Sequence, residues 1–268
     1  MRVGLMGFGK TGRAVSSVLL ESRRTGLQWV MRKSHALEHR SVPEFLGVES
    51  DEPGRIHSIG DISAQELLDR YPVDFIVDFS SENGIDYYGE EAGRRGVAVV
   101  SAVSAYSEDK LRQLRRLSER TRVLHSPNIT LGVNFLIVAA KILKNIAPHA
   151  DIEIVEEHFK AKQEVSGTAR VIAGNLNLPD DSIKTIRAGG IIGVHEILFG
   201  FPHQTVRLKH ESIAREAFGT GILFAIDNMP RESNGLFTME DLMRPYFRLN
   251  ASEREFTDER KKPWWRIW

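Results

Sequence analysis

Short apolar runs alternate with amphipathic segments through the first 126 residues of the chain. The runs are rich in Val, Ile and Leu and have the length of buried strands, whereas the segments between them repeat apolar residues at helical spacing. The predicted strands are residues 3–6, 27–31, 73–79, 97–100 and 122–125. The predicted helices are residues 12–22, 64–71, 86–95 and 108–120. This alternation predicts an α/β fold with a doubly wound parallel sheet and helices on its faces.

The pattern changes after residue 150. The segments that follow are a strand at 151–157, a helix at 168–175, and strands at 183–186, 195–200 and 205–210. Polar and apolar residues alternate strictly from Thr205 to His210, so one face of that strand should be wet and the other buried. Residues 131–143 are predicted to form a buried helix, and residues 212–226 have helical spacing. The second part of the chain is therefore expected to be an α+β unit with an open mixed sheet.

Composition and charge exclude several classes of protein. The 268 residues contain 36 Lys and Arg against 36 Asp and Glu, so no basic excess attracts a nucleic acid, and a small-molecule partner is expected. The absence of cysteine excludes a disulfide framework and fits a reducing, cytoplasmic compartment. No apolar run is long enough to predict a membrane span. Trp264, Trp265 and Trp268 lie in a basic tail, where packing on the same domain or subunit is favoured over anchoring to a partner or a membrane.

A glycine-rich turn connects the first predicted strand to the first predicted helix. Gly7, Gly9 and Gly12 form a Gly-x-Gly-x-x-Gly pattern, with Lys10 and Thr11 between the last two glycines. In this context the glycines allow a tight turn, the approach of a pyrophosphate to the backbone, and close packing of helix on strand. The pattern predicts a Rossmann-type site for a nicotinamide dinucleotide, with the phosphates at the positive end of the helix.

The end of the second predicted strand indicates which dinucleotide binds. A carboxylate usually stands about twenty residues beyond the glycines and binds the ribose hydroxyls of NAD. The sequence instead has Arg32, Lys33 and Ser34, two cations and a hydroxyl that suit the 2′-phosphate of NADP. NADPH is therefore predicted in preference to NADH. The alternative interpretation is that these cations are a solvated strand end.

Three blocks of the sequence carry a family resemblance. Residues 152–162 are IEIVEEHFKAK, followed by SGTA at 166–169, while 127–134 are PNITLGVN and 187–195 are RAGGIIGVH. The first block resembles the Glu-x-His-His strand of dihydrodipicolinate reductases, with its later Lys and Ser-Gly-Thr-Ala. The other two resemble the hinge and the Arg-Ala-Gly strand of the same family. The similarity continues through residues 209–218 and 235–237 and spans most of the chain.

The resemblance implies an activity and an organisation. Dihydrodipicolinate reductases use NADPH, or NADH, to reduce 4-hydroxy-tetrahydrodipicolinate in lysine and diaminopimelate biosynthesis, and they are usually homotetramers joined through the open sheet. For this chain the resemblance implies a dinucleotide-binding domain of residues 1–127 and 216–268. Residues 128–215 would then form a substrate-binding and oligomerisation domain.

The reduction of a conjugated cyclic imine needs a proton donor beside the hydride donor. His158 and Lys162 are the candidates, because histidine titrates near neutral pH and lysine both attracts a dianionic substrate and can deliver a proton. Ser166, Gly167 and Thr168 open a predicted helix and offer N–H groups and hydroxyls to a substrate carboxylate. Without the resemblance, a structural histidine and an ordinary helix start explain these residues equally well. The resemblance assigns these further residues: Phe159 to the substrate, and Phe79, Ser101, Ala102, Pro127 and Asn128 to the cofactor.

Two departures from the family pattern keep other functions open. Phe159 stands where the family usually has its second His, and residues 101–104 are SAVS where the family has Gly-Thr-Thr-Gly. The alternatives are a reductase of another cyclic imine, an amino acid dehydrogenase on the same fold, and a non-catalytic NADPH-binding sensor. His195, His203 and His210 have no recognised ligand spacing, so no metal site is predicted.

Overall fold

The computed structural model describes residues 1–247 except residues 36, 38 and 39. In chain order the elements of these residues are β1 (Arg2–Met6), α1 (Lys10–Glu21), β2 (Gly26–Arg32), α2 (Val42–Leu46), β3 (Arg55–Ser58), α3 (Ala64–Arg70), β4 (Phe75–Asp78), α4 (Gly84–Arg95), β5 (Ala98–Ser101), α5 (Glu108–Arg120), β6 (Arg122–His125), α6 (Leu131–Ile146), β7 (Asp151–His158), α7 (Gly167–Asn175), β8 (Ile183–Arg187), β9 (Val194–Phe201), β10 (Gln204–Glu211), α8 (Glu216–Asn228), β11 (Gly235–Phe237) and α9 (Met239–Met243). Single turns of 3-10 helix occur at Asp180–Ser182 and Arg244–Phe247. The prediction for Trp264, Trp265 and Trp268 lies outside the described residues.

Seven parallel strands form the first sheet, in the order β11-β6-β5-β4-β1-β2-β3. Separate apolar clusters cover its two faces. Val15 of α1 and Ile222 of α8 belong to one cluster, and Leu67 of α3 and Leu114 of α5 belong to the other. The predicted doubly wound parallel sheet is thereby confirmed. Because all strands run the same way, their carboxyl ends meet at one edge, called here the carboxyl edge, which carries the turns after β1, β2, β4, β5 and β6.

The second sheet has four strands in the order β10-β9-β7-β8. β7 is parallel to β8 but antiparallel to β9, and β9 is antiparallel to β10, which confirms the predicted mixed sheet. α6 and α7 cover one face, where Leu136 and Ile172 pack with Ile197 in a third apolar cluster. Val206 and Leu208 of β10 join this cluster while the alternate residues Thr205, Arg207 and Lys209 are exposed, as the alternation predicted.

Several short elements were not predicted from the sequence pattern. α2, β3, β11 and α9 have between three and five residues each, too few to repeat a pattern. β11 pairs with β6 and so returns the chain to the first sheet. α8 begins at Glu216 rather than at residue 212, because the N–H of Ser212 donates to the carbonyl of Gly193 (2.8 Å) and prolongs the sheet pairing.

The helix predicted to be buried, α6, buries only one face. Val133, Leu136 and Ala140 lie in the third cluster, whereas Phe135 is 54% exposed. The ring of Phe135 stacks on that of Phe247 at 5.7 Å between centroids. The long apolar run of α6 therefore does not correspond to complete burial, because one side of the helix covers the second sheet and the other reaches the surface.

Candidate active site

The turn between β1 and α1 has the shape that the glycine pattern predicts. Gly7 has φ +97°, a left-handed backbone conformation, and a Cβ there would lie 2.7 Å from the carbonyl oxygen of Phe79. A Cβ at Gly12 would overlap the carbonyl oxygen of Gly7. Gly9, by contrast, faces open space at the start of α1. The amino-terminal end of α1 has neither a capping side chain nor an acidic residue in its first turn, so the N–H groups that begin at Lys10 suit a phosphate.

The predicted 2′-phosphate site lies at the same edge. Arg32 ends β2, and β2 is the parallel neighbour of β1, so the ends of the two strands lie side by side. Lys33 and Ser34 follow and are exposed to solvent. The structure thus places two cationic side chains beside the glycine turn, an arrangement that suits an adenosine phosphate.

A buried polar network lies below the carboxyl edge. Asp78 ends β4, and its carboxylate accepts hydrogen bonds from the N–H (2.8 Å) and hydroxyl (2.6 Å) of Ser80 and from the hydroxyl of Tyr88 (2.9 Å). Burial raises the pKa of Asp78, although these hydrogen bonds oppose the effect. Ser101 ends β5, with its Oγ 2.8 Å from the hydroxyl of Tyr106. The Asp78 and Ser101 side chains are therefore engaged within the protein, below the surface of the edge.

The backbone at the end of β4 lies against the glycine turn, and that at the end of β5 is bonded to β4. The N–H of Phe79 donates to the carbonyl of Met6 (2.9 Å), which brings residue 79 against Gly7. The N–H of Ala102 donates to the carbonyl of Asp78 (2.9 Å). Phe79 and Ala102 are both half-buried at the carboxyl edge, next to the turn that suits the pyrophosphate.

The loop after β6 joins the two sheets. The carbonyl oxygen of Asn128 accepts hydrogen bonds from the hydroxyl of Ser126 (2.5 Å) and from Nδ2 of Asn134 (2.7 Å), while Pro127 is exposed. Nδ2 of Asn128 donates to Oγ1 of Thr168 at 3.0 Å. This bond attaches the start of α7 to the carboxyl edge, so the predicted carboxylate site and the predicted cofactor site lie at the same end of the first sheet.

A buried carboxylate organises the first candidate proton donor. Oε2 of Glu156 lies 2.5 Å from Nδ1 of His158, and the guanidinium of Arg187 donates to both carboxylate oxygens (2.7 and 3.0 Å). The N–H of Ser166 donates to Oε1 (3.2 Å). Burial alone would raise the pKa of Glu156, but the hydrogen bonds from Arg187, His158 and Ser166 outweigh it and hold the pKa below its usual range. The ionised carboxylate can only accept, so Nδ1 of His158 carries hydrogen and Nε2 is the atom left for other chemistry.

A second histidine lies beside the first. The rings of His158 and His195 meet edge to face at 5.4 Å, and Nε2 of His195 lies 2.9 Å from the hydroxyl oxygen of Ser166. Burial, followed by the charges of His158 and His210, lowers the pKa of His195 to about 4, with a smaller effect from Lys162. His195 is therefore neutral at physiological pH. We call Glu156, His158, Ser166, Arg187 and His195 the histidine cluster.

Lys162 lies on the turn that follows β7. Its N–H donates to the carbonyl of Phe159 (3.0 Å), and its own carbonyl accepts from Nε of Arg187 (2.9 Å), so the turn is tied to the histidine cluster. The Lys162 side chain is half-buried, and its charge acts on His195. Phe159 is 45% exposed, an apolar ring at the mouth of this turn.

The start of α7 is an open anion-binding geometry. Ser166 caps the helix through its hydroxyl, which accepts from the N–H of Ala169 (3.4 Å). Gly167 is exposed, with open space where a Cβ would stand, and Thr168 is half-buried beside it. The first turn has no acidic residue. A helix start without an acidic residue suits a carboxylate.

Part of this cluster was not predicted from the sequence. Glu156 and His158 are two residues apart in β7 and so share a face, a relation that the strand pattern of this segment indicates. Arg187 is different, because it reaches Glu156 only through the pairing of β8 with β7, where it stands opposite His158. His195 has no ligand spacing to the other histidines of the sequence, and only the structure brings its ring against the ring of His158 and the hydroxyl of Ser166.

A cavity of about 180 Å³ lies where the loop after β6 meets α6, α7 and α9. Asn128, Asn134, Val171 and Met239 are among its lining residues. The residues that line it do not include His158 or Lys162, so it is separate from the candidate proton donors. Within the described ranges, no helix has the length and apolarity that crossing a bilayer requires. The same ranges hold no group of three or more His, Cys, Asp or Glu side chains placed to bind a metal ion.

Comparison with known proteins places these features in a family. The model for the amino terminus of dihydrodipicolinate reductase matches residues 1–129, and the model for its carboxyl terminus matches residues 129–243. A 4-hydroxy-tetrahydrodipicolinate reductase from Caldanaerobacter subterraneus subsp. tengcongensis is 33% identical over 193 residues, covering 64% of this chain and 77% of that protein. One from Syntrophus aciditrophicus is 26% identical over 270 residues, covering 88% of this chain and 96% of that protein.

A solved structure has a similar fold. Dipicolinate-bound dihydrodipicolinate reductase from Paenisporosarcina sp. TG-14 matches with a TM-score of 0.74 at 20% identity, over 90% of this chain and 98% of that chain. At this level of identity the match shows a shared fold.

Proposed function

The chain belongs to the dihydrodipicolinate reductase family, and from this premise we propose that it reduces 4-hydroxy-tetrahydrodipicolinate to tetrahydrodipicolinate in lysine and diaminopimelate biosynthesis. It is an NAD(P)H-dependent oxidoreductase of the Rossmann type. A bound nicotinamide nucleotide would supply the hydride, while one proton is added and one water leaves. The observation that carries the proposal is the histidine cluster, which holds a protonatable ring next to a helix start that suits a carboxylate.

The protein's own residues are proposed to deliver the proton. Glu156 fixes hydrogen on Nδ1 of His158, so a doubly protonated ring has its charge balanced by that carboxylate and presents the Nε2 hydrogen to the substrate. A Cβ at residue 193 would lie 3.1 Å from this Nε2, so Gly193 leaves room beside the donor atom. Lys162 adds a positive charge that attracts a dianionic substrate and is a second proton source. Ser166, Gly167 and Thr168 hold a substrate carboxylate, and Phe159 lines the entrance.

The test uses His158→Asn and Lys162→Met. Asparagine can still donate from Nδ2 to Glu156 but has no counterpart of Nε2, so H158N keeps the buried bond and removes the proton donor. We expect kcat to fall by about 10²- to 10⁴-fold in each variant, with the dissociation constant for the nucleotide unchanged. Turnover is measured by nucleotide oxidation with synthase-generated substrate. His203→Asn, in the exposed turn between β9 and β10, is the matched control. Turnover of H158N within tenfold of wild type would remove His158 from the proposed role.

We propose NADPH as the preferred nucleotide, held by Gly7, Gly9, Lys10, Thr11 and Gly12 at the phosphates and by the segment 32–34 at the 2′-phosphate. Replacing Arg32 and Lys33 together by serine removes both cations while keeping the strand end. The KM for NADPH should rise by roughly tenfold or more and that for NADH should change little, because only NADPH carries the phosphate. An equal rise for both nucleotides would contradict a 2′-phosphate site.

The rest of the cofactor site is proposed to lie along the carboxyl edge. The residues assigned to it are Phe79, Ser101, Ala102, Pro127 and Asn128. Their backbone forms the ends of β4 and β5 and the loop after β6, all on the glycine-turn side of the first sheet. Ser101 contributes through its backbone, since its hydroxyl contacts Tyr106.

A related reductase of another cyclic imine is the second candidate function. Phe159 favours it, because an exposed aromatic ring stands where the family usually has a second histidine, which removes one donor to a substrate carboxylate. A panel of cyclic imines with one and two carboxylates distinguishes the candidates. Turnover of another imine, with none of 4-hydroxy-tetrahydrodipicolinate, would displace the first function.

We also propose a homotetramer and a division of the chain into domains at residues 127/128 and 215/216. The face of the second sheet opposite α6 and α7 is open, with Ile186 and Arg207 exposed, and β10 is an edge strand. Sedimentation analysis should give the mass of four chains. The monomer mass at micromolar concentration would contradict this assembly.

A further inference from the structure

The side-chain amide of Asn128 has only one possible orientation. Its Oδ1 lies 3.0 Å from the backbone N of Thr130 and 2.7 Å from the Thr130 hydroxyl. A backbone N–H can only donate, so the atom facing it must be the amide oxygen. Nδ2 therefore points the other way, where it lies 3.0 Å from Oγ1 of Thr168.

This orientation determines the direction of the bond to Thr168. An amide NH₂ group can only donate, so Oγ1 of Thr168 must accept, and its own hydrogen must point elsewhere. Among the hydrogen bonds of residues 1–247, excluding the undescribed positions, none takes up that hydrogen. Thr168 is half-buried in the first turn of α7, beside the exposed Gly167. The free hydroxyl hydrogen thus belongs to the helix start that suits a carboxylate.

The loop that carries Asn128 is held in place independently of this bond. The hydroxyl of Ser126 and Nδ2 of Asn134 both donate to the Asn128 carbonyl, and Oδ1 satisfies the N–H of Thr130 at the start of α6. The donor is therefore positioned before any ligand arrives. A preorganised donor loses less freedom on binding than one that must first be ordered.

We infer that Asn128 is a positioning residue that makes the Thr168 hydroxyl a hydrogen-bond donor to a substrate carboxylate. The inference rests on the proposed role of residues 166–168 in carboxylate binding. In the absence of Asn128, the Thr168 hydroxyl can rotate and donate to a protein carbonyl or to water, and the ligand must compete for it. With Asn128 in place, the Thr168 hydroxyl accepts a hydrogen bond from Nδ2 of Asn128 and donates its own hydrogen to the ligand at the same time.

Dipicolinate, the ligand of the Paenisporosarcina structure, is a suitable probe, measured by calorimetry on the NADPH-saturated protein. Asn128→Asp is the sharpest variant. It keeps an oxygen for the N–H of Thr130 but replaces the donor facing Thr168 with an acceptor. The Thr168 hydroxyl hydrogen then turns toward the new carboxylate at position 128 and away from the ligand. We expect N128D to weaken dipicolinate binding by roughly tenfold or more, the size of one hydrogen bond to a charged group.

A double-mutant cycle separates this effect from simple repulsion between the new carboxylate and dipicolinate. T168V alone should weaken binding roughly tenfold, and N128D added to T168V should weaken it by much less than it does in the wild type. T168S keeps the hydroxyl, so in that background N128D should have its full effect. If N128D does not fold, as judged by thermal unfolding, N128A serves in the same cycle because alanine also removes the donor.

Two results would overturn different statements. If N128D weakens binding by the same factor with and without the Thr168 hydroxyl, the effect is general and Asn128 does not act through Thr168. If T168V binds dipicolinate as tightly as wild type, the Thr168 hydroxyl does not bind the carboxylate, and that part of the proposed function fails together with the role inferred for Asn128.

Discussion

His195 should limit the stability of the fold at mildly acidic pH. His195 is only 4% exposed, and its Nδ1 has no hydrogen-bond partner among the described residues. The ring is held by Ser166 and lies near His158 and His210. Burial, and then these charges, lower the pKa of His195 to about 4, against 6.5 for an ordinary histidine. The folded state therefore resists a proton that the unfolded chain accepts.

The magnitude follows from this difference in pKa. Above pH 6.5 the His195 ring is neutral in both the folded and the unfolded state, so the protein has its full free energy of unfolding with respect to this group. As the pH falls from 6.5 to about 4, the unfolded chain is protonated and the folded one is not, so stability is lost over this range. The whole loss corresponds to about 3 kcal/mol, of which about 2 kcal/mol falls between pH 7 and pH 5.

The assay compares wild type with His195→Gln. Glutamine can place an amide nitrogen near the position of Nε2 beside Ser166 but does not titrate. The free energy of unfolding in urea is measured for both proteins at pH 7 and pH 5, at one protein concentration. On going to pH 5, wild type should lose about 2 kcal/mol more than H195Q. Losses from other titrating groups are shared and cancel in the difference.

The control is His203→Gln, at an exposed histidine whose ring meets solvent in both states. This variant should show the same pH-dependent loss as wild type. If H195Q and wild type lose the same free energy within about 0.5 kcal/mol, His195 is not held neutral by burial, and the account of the histidine cluster is wrong.

Three further substitutions test the packing and the buried network. Gly132→Ala would place a Cβ against the ring of His210 and should lower the free energy of unfolding by about 1–3 kcal/mol. Adding His210→Ala should restore much of that loss in denaturant unfolding, and the absence of any restoration would contradict the contact. Gly12→Ala should disrupt the glycine turn, because its Cβ would meet the carbonyl of Gly7, and should weaken nucleotide binding at least tenfold in a fluorescence titration; unchanged binding would contradict the turn geometry. Tyr88→Phe leaves the buried carboxyl group of Asp78 without one of its hydrogen-bond donors, so it should lower the free energy of unfolding by about 1–2 kcal/mol; an unchanged free energy of unfolding in urea would refute this.

Features that depend on neighbouring residues could be predicted from the amino-acid sequence. The glycine turn could be predicted because Gly7, Gly9 and Gly12 lie within one strand-turn-helix unit, where Gly7 and Gly12 each meet a local steric requirement and Gly9 leaves open space at the start of α1. The alternation in β10 predicted its wet and buried faces for the same reason. Short elements such as β3 and β11 were not predicted, because four or three residues do not establish a period.

Which distant residues complete the site depends on how the chain folds. Arg187 meets Glu156 through the register of β8 on β7, and Asn128 reaches Thr168 across 40 positions of chain. Neither contact has a local sequence signal, because the first depends on the pairing of two strands and the second on how the loop after β6 lies against the start of α7. A residue's type shows which hydrogen bonds it can form, whereas the fold decides which partner it meets. For His158 and Thr168, that partner fixes where the hydrogen lies.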